Sequence, residues 1–233
     1  MAVMITFSGF KLPHYINIIF PSVAVLSSAY LVENANRQNI IRRLFITQLV
    51  VCILGLVVAA IVNAWAFPLK NWSVFVVAIF LFVLSFFIVR SLKTQFQKII
   101  SLSVLTTAFI FYLMNSNFYP RLLTYQGGNE LAFETRNKID PKNVYIWPFI
   151  YNPSFQFYSK ELKKDFADPV LYQNHPVWIL TDRNSLPQLK NKNLPVLEQY
   201  VHFDYNIGTM TGKFINPNTR PQTLDSLFLV RVK

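Results

Sequence analysis

Acidic residues are scarce in this chain, and their placement is uneven. The 233 residues include 11 Asp and Glu against 22 Lys and Arg, and Glu33 is the single acid before about residue 117. Charged residues make up only 14% of the chain, where a soluble domain carries about 25%. Cys52 is the one cysteine, which excludes a disulfide within the chain. Of the six glycines only Gly127 and Gly128 are adjacent, so there is no Gly-rich loop of the kind that cradles phosphates. The three histidines, His14, His175 and His202, stand in no metal-ligand spacing. Neither a metal nor a cofactor is expected.

What the chain does have is apolar sequence. It is 53% hydrophobic and 16% aromatic, with a mean hydropathy of +0.33. Four stretches approach the roughly 20 residues that cross a bilayer: His14 to Val32, Leu44 to Phe67, Trp72 to Val89 and Ile99 to Met114. None contains an internal charge, as the cost of ions in hydrocarbon requires. The expected organisation is a membrane region over 1–117 with about four helices, and a water-soluble domain over 118–233.

Charges in the connections orient this region. Arg37, Arg42 and Arg43 lie in the first connection and Arg90, Lys93 and Lys98 in the third; Lys11 and Lys70 lie on the other side. Positive charge favours the cytoplasm, so the N-terminus, the Pro68 loop and the C-terminal half are expected outside. The net charge of +11 is read as this topological excess, and no nucleic-acid partner is expected. The opening MAVMITFSGF lacks the pattern of a signal peptide. Asn71-Trp72-Ser73 matches a glycosylation acceptor but abuts a span, so it is read as chance.

Beyond Pro120 the sequence changes to prolines, Asn-rich turns and mixed charge. Gly127 to Ile139 reads as a helix with Asn129 as its N-cap, Glu130 and Glu134 early, and Arg136 and Lys138 late. Asn143 to Trp147, Val177 to Thr181, Val196 to Phe203 and Ser226 to Val232 read as strands. Short helices are expected over Ser154 to Lys164 and over Asp182 to Leu189, the second broken by Pro187. This alternation gives a small α/β domain and suggests parallel strands. Asp182 and Arg183 follow a strand, where such domains place functional groups; for Asp182 a helix N-cap is the competing role. Tyr125-Gln126-Gly127-Gly128 reads either as a functional turn or as the entrance to its helix.

The run with most chemistry is Lys11-Leu12-Pro13-His14-Tyr15. Pro13 suits the first turn of a helix, which sets Lys11, His14 and Tyr15 at i, i+3 and i+4 on one face. A helix start gathers unpaired N–H groups and favours an anion. Lys11 adds a charge, Tyr15 a hydroxyl donor and His14 a weaker candidate contact. A polyprenyl-phosphate would present its phosphate at this depth with its tail in lipid. A snorkelling lysine and a belt tyrosine at a span end give the same pattern.

Phe10 to Tyr15, followed by Pro21 and an apolar span, resembles the K-L-P-x-Y signature of bacterial family-39-type glycosyltransferases, relatives of the lipid A aminoarabinose transferase and the protein O-mannosyltransferases. The layout is also similar, with spans after the motif and then Phe118-Tyr119-Pro120 and Tyr125-Gln126 opening a C-terminal domain. The resemblance implies a GT-C membrane enzyme that moves a sugar from a polyprenyl-phosphate donor to a lipid or protein acceptor on the outer face of the inner membrane. It also implies that Lys11 and Tyr15 hold the lipid phosphate. Family members carry their catalytic acids in an early extracytoplasmic loop, upstream of this motif, so no catalytic residue is expected in this chain. The chain is therefore expected to be the C-terminal portion of such an enzyme and inactive alone. The alternative expectation is a non-enzymatic four-span anchor displaying an α/β binding or assembly domain.

Overall fold

In hydrocarbon a backbone must satisfy its own polar groups, and the apolar runs do so as helices. The computed structural model describes residues 19–148, 150, 152–162, 164–166, 176–191 and 194–232. Helices α1 (Phe20–Glu33), α2 (Gln38–Ala66), α3 (Trp72–Ser91) and α4 (Gln95–Leu123) come first. The last three are long and apolar enough to cross a membrane. Their large side chains stand exposed, as at Phe80 and Phe87, which lipid accommodates and water does not.

Three long apolar helices, rather than four, are found among the described residues. The described α1 has 14 residues, about 21 Å at helical rise and short of the roughly 30 Å hydrocarbon core. The start expected for this span, His14, lies outside the described residues. The span expected to be shortest, Ile99 to Met114, instead lies within a 29-residue helix. Asn115, Ser116 and Asn117 look like a polar end, yet the helix passes through them as a π-helical turn, Met114–Phe118.

The chain divides into two compact units, Met1–Ala59 with Asn71–Tyr112, and Ala60–Lys70 with Leu113–Lys233. In the first, α2 and α4 approach closely at Gly55, where an added Cβ would come within 3.2 Å of Ile110 Cδ1. The buried Cys52 sits one turn from it, accepting from Gln48 Nε2 at 3.3 Å. Asn71 of the apparent glycosylation triplet caps α3, its side chain accepting from the Ser73 N–H at 3.0 Å and the Ser73 hydroxyl at 2.8 Å.

The second unit begins in helix ends that widen into π turns, Ile61–Ala66 and Met114–Phe118. These bring two buried amides together. Asn117 Nδ2 donates to Asn63 Oδ1 at 3.0 Å and to the Phe67 carbonyl at 2.8 Å. A five-stranded sheet follows: β1 (Val144–Ile146), β2 (Lys164–Asp165), β3 (Val177–Asp182), β4 (Val196–Asp204) and β5 (Asp225–Val232), in the order β2-β1-β3-β5-β4. The sheet is mixed, not parallel. β2, β1 and β3 run parallel, and β5 inserts antiparallel between β3 and β4. Interior strand β5 is buried on both faces, which explains its nearly continuous apolar sequence.

Helices α5 (Gly127–Thr135) and α6 (Pro153–Ser159) cover one face of the sheet around Leu131, Phe155, Leu180 and Leu229. Leu189 of α7 (Leu186–Asn191) packs with Phe166, Ile179 and Val230 on the other. Two expected boundaries change. α5 is preceded by Gln126 as its N-cap and starts at Gly127, so Asn129 lies inside its first turn rather than capping it. Pro187 falls in the first turn of α7, where a missing N–H costs nothing, and does not break it.

A third core joins the helix ends to the chain between β4 and β5. Phe67, Leu122 and Phe214 of α8 (Gly212–Ile215) are buried together. Arg220, also buried, lies over the Phe67 ring with its guanidinium carbon 4.1 Å from the centroid. It donates to the carbonyls of Phe214 at 2.8 Å, Ala66 at 2.7 Å and Ile215 at 3.0 Å, and to the Tyr125 hydroxyl at 3.2 Å. Arg220→Ala leaves those carbonyls unpaired and is expected to cost about 3 kcal/mol. Arg220→Lys should recover less than half of that, because a point charge cannot reproduce the fork. Thermal unfolding in detergent checks both.

Candidate functional site

Lys11, His14 and Tyr15, the residues expected to hold a lipid phosphate, lie outside the described residues, as does His175. The remaining candidates resolve into structural roles. Asp182 Oδ1 accepts from the Ser185 N–H at 2.7 Å, closing the turn before α7; this N–H precedes the helix, so Asp182 braces the turn and does not cap α7 itself. Arg183 is exposed beside it. His202 Nε2 lies 2.9 Å from Glu134 Oε2, and Lys138 Nζ lies 3.6 Å from the other oxygen of the same carboxylate. The His202 hydrogen bond, helped by Lys138, holds the Glu134 carboxyl below its ordinary range against the opposing effect of burial.

The turn at Tyr125-Gln126-Gly127-Gly128 is a packing device. A Cβ on Gly128 would fall 2.1 Å from Asn152 Oδ1, and one on Gly127 would fall 3.0 Å from the Phe203 carbonyl. The Gly127 N–H instead donates to Asp204 Oδ1 at 2.9 Å. Burial pushes the Asp204 carboxyl above the usual carboxylate range, and Asp225 adds to this, while the Gly127 hydrogen bond pulls the other way. Among the described residues no three His, Cys, Asp or Glu side chains gather as a metal set would.

Three concave surfaces stand out among the described residues, of which two are larger than a hollow of about 280 Å³ beside Thr135 and Phe155. In the first unit an apolar groove of about 390 Å³ is lined by Phe45, Leu49, Phe82, Phe86 and Phe109, with Arg90 and Lys98 also on its wall. In the second unit a polar hollow of about 930 Å³ opens beside Lys138, Asp140, Trp178, Glu198, Tyr200 and Arg231. Sequence reasoning missed this hollow and the Arg220 site alike. Arg220 sits in an Asn- and Pro-rich stretch that reads as loop, and the hollow is assembled across β3, β5 and β4 from residues far apart in the chain.

No protein-family model and no curated protein matches the chain. Among solved structures, the chain is similar to the crystal structure of ArnT from Cupriavidus metallidurans in the apo state. The TM-score is 0.56 at 15% identity, over 84% of this chain and 42% of that one. At that identity the likeness shows a shared fold. This chain spans less than half the length of ArnT.

The Asp204 environment carries a pH consequence. A carboxyl whose folded pKa is raised adds stability when protonated, and that contribution is lost as pH rises through the folded pKa. Asp204→Asn keeps an acceptor for Gly127 and removes the buried charge. It should therefore melt higher than the wild type at pH 7, with the gap closing toward pH 4, as followed by thermal unfolding.

Proposed function

We propose that this chain serves a GT-C-type membrane glycosyltransfer. In this reading Lys11 and Tyr15 hold the phosphate of a polyprenyl-phosphate sugar donor at the outer face of the inner membrane. The observation that carries the reading is the ArnT-like fold over 84% of the chain, coming after a sequence motif that resembles the K-L-P-x-Y signature of family-39-type transferases. The two are independent, since one rests on backbone geometry and the other on residues outside the described part.

The chemistry follows from the residue types. Transfer requires an acceptor hydroxyl to attack the anomeric carbon while the lipid phosphate departs with the bonding electrons. A carboxylate base activates that hydroxyl, and cations stabilise the negative charge gathering on the phosphate. Lys11 supplies a point charge and Tyr15 a hydrogen-bond donor; His14 is a third and weaker contact. Up to residue 117 Glu33 is the only carboxylate, so the base comes from elsewhere in the reacting assembly. The acceptor is a lipid or a protein, and, with the first apolar run begun at His14 serving as a fourth crossing, the sheet domain and the donor phosphate share a side of the membrane.

That same scarcity of acids favours the second reading, a membrane anchor displaying a binding domain. Donor binding separates the two. In lipid nanodiscs, the chain should bind undecaprenyl phosphate saturably. Lys11→Ala should weaken binding by about tenfold, or roughly 1.4 kcal/mol, and Tyr15→Phe by about threefold. Unchanged affinity in both variants would remove the phosphate site and leave the anchor.

A further inference from the structure

The hollow in the second unit is built unlike a packing defect. Trp178, Arg231 and Glu198 stand side by side across β3, β5 and β4, with Trp178 paired to Arg231 and Arg231 to Glu198 in the ladders. A register shift in β4 between Val196 and Glu198 brings Glu198 into that row, the kind of irregularity that re-aims a side chain. The row lies where the chain leaves α5, so Lys138 and Asp140 form the rim.

The rings of Trp178 and Tyr200 pack with centroids 5.6 Å apart and planes 39° from one another. Lys138 Nζ sits 4.9 Å from the Tyr200 ring centroid. The Tyr200 hydroxyl donates to Glu198 Oε1 at 3.0 Å, and Arg231 Nη1 stands 3.9 Å from Glu198 Oε2. Burial and the Glu198 carboxylate hold the Tyr200 phenol above its ordinary range, so it remains a donor at neutral pH.

Charge selects the ligand class. Lys138 and Arg231 are balanced by Asp140 and Glu198 on the same lining. Such a lining gives little net attraction to an anion or a cation. It offers many donors and acceptors around an aromatic floor, within the volume range of ligand sites. A ligand that matches it is neutral, has an apolar face to lie on the rings, and carries hydroxyl groups around its edge. That is the chemistry of a carbohydrate, whose C–H face meets an aromatic ring while its hydroxyls meet carboxylates and guanidinium groups.

We infer that the hollow bounded by Trp178, Tyr200, Glu198 and Arg231 is a binding site for a neutral saccharide. The inference does not rest on the donor-phosphate site: one concerns a neutral sugar on the sheet domain, the other an anionic lipid head at residues 11–15.

The test uses the full chain in nanodiscs, free of sugar-based detergent. Calorimetry measures binding of neutral hexasaccharides (a β-1,4-glucan, an α-1,6-mannan and chitohexaose) and of a sulfated heparin hexasaccharide. At least one neutral hexasaccharide should bind saturably and more tightly than the sulfated one. Trp178→Ala should weaken that binding by about tenfold and Glu198→Gln by about fivefold. Glu198 is exposed in strand β4, so Glu198→Gln is expected to keep the wild-type melting temperature and to report on the site even if Trp178→Ala perturbs folding. The inference is overturned if no neutral hexasaccharide binds, if the sulfated one binds more tightly, or if Glu198→Gln binds like the wild type.

Discussion

The second unit depends on a buried cation that is satisfied by dipoles. Arg220 has shed most of its water, and among the described residues its partners are three backbone carbonyls, a phenol and the faces of aromatic rings. A guanidinium suits this environment because it is weakly hydrated and its donors diverge in a plane. The Ala66 carbonyl closes the first π turn, where the helix ladder ends and an acceptor would otherwise go unpaired. One side chain therefore completes that helix end and fixes the 212–220 segment against it. Phe214 stacks on Tyr205, with ring centroids 3.8 Å apart and planes 10° from one another, extending the same cluster toward the end of β4.

The parts of this fold that were legible in sequence were those governed by long apolar runs. Trp72 to Val89 contains no charge and no helix breaker, and the helix found there ends two residues later. The strands at Val177 and Ser226 also stand where β-branched and apolar residues cluster. Boundaries set by tertiary partners were not legible. The span expected to end at Met114 runs on, because buried amide and carbonyl partners at Asn117 let the helix continue through it. Strand order escaped as well, because β5 is last in sequence yet interior in the sheet, and nothing local tells a run to insert between two others.

The candidate site divides in the same way. Asp182 carried two readings, and its hydrogen bond from the Ser185 N–H closes the turn before α7, which neither reading named. Gly127 and Gly128 carried two as well, and the lack of room for a Cβ selects packing. Arg220 and the row from Trp178 to Glu198 gave no sequence signal, since each acquires meaning only from residues brought to it by the fold. Lys11 and Tyr15 remain a reading of sequence, joined to the ArnT-like fold by proposal.

That proposal requires the two ends of the chain to share a side of the membrane, and sidedness tests it most directly. With Cys52 replaced by Ser, single cysteines at Ser8, Lys93 and Lys142 can be treated with a membrane-impermeant maleimide in spheroplasts of a bacterial host. The account predicts that positions 8 and 142 react from outside and that position 93 reacts only after permeabilisation. Labelling of position 93 from outside, with position 8 protected until the membrane is opened, would contradict it.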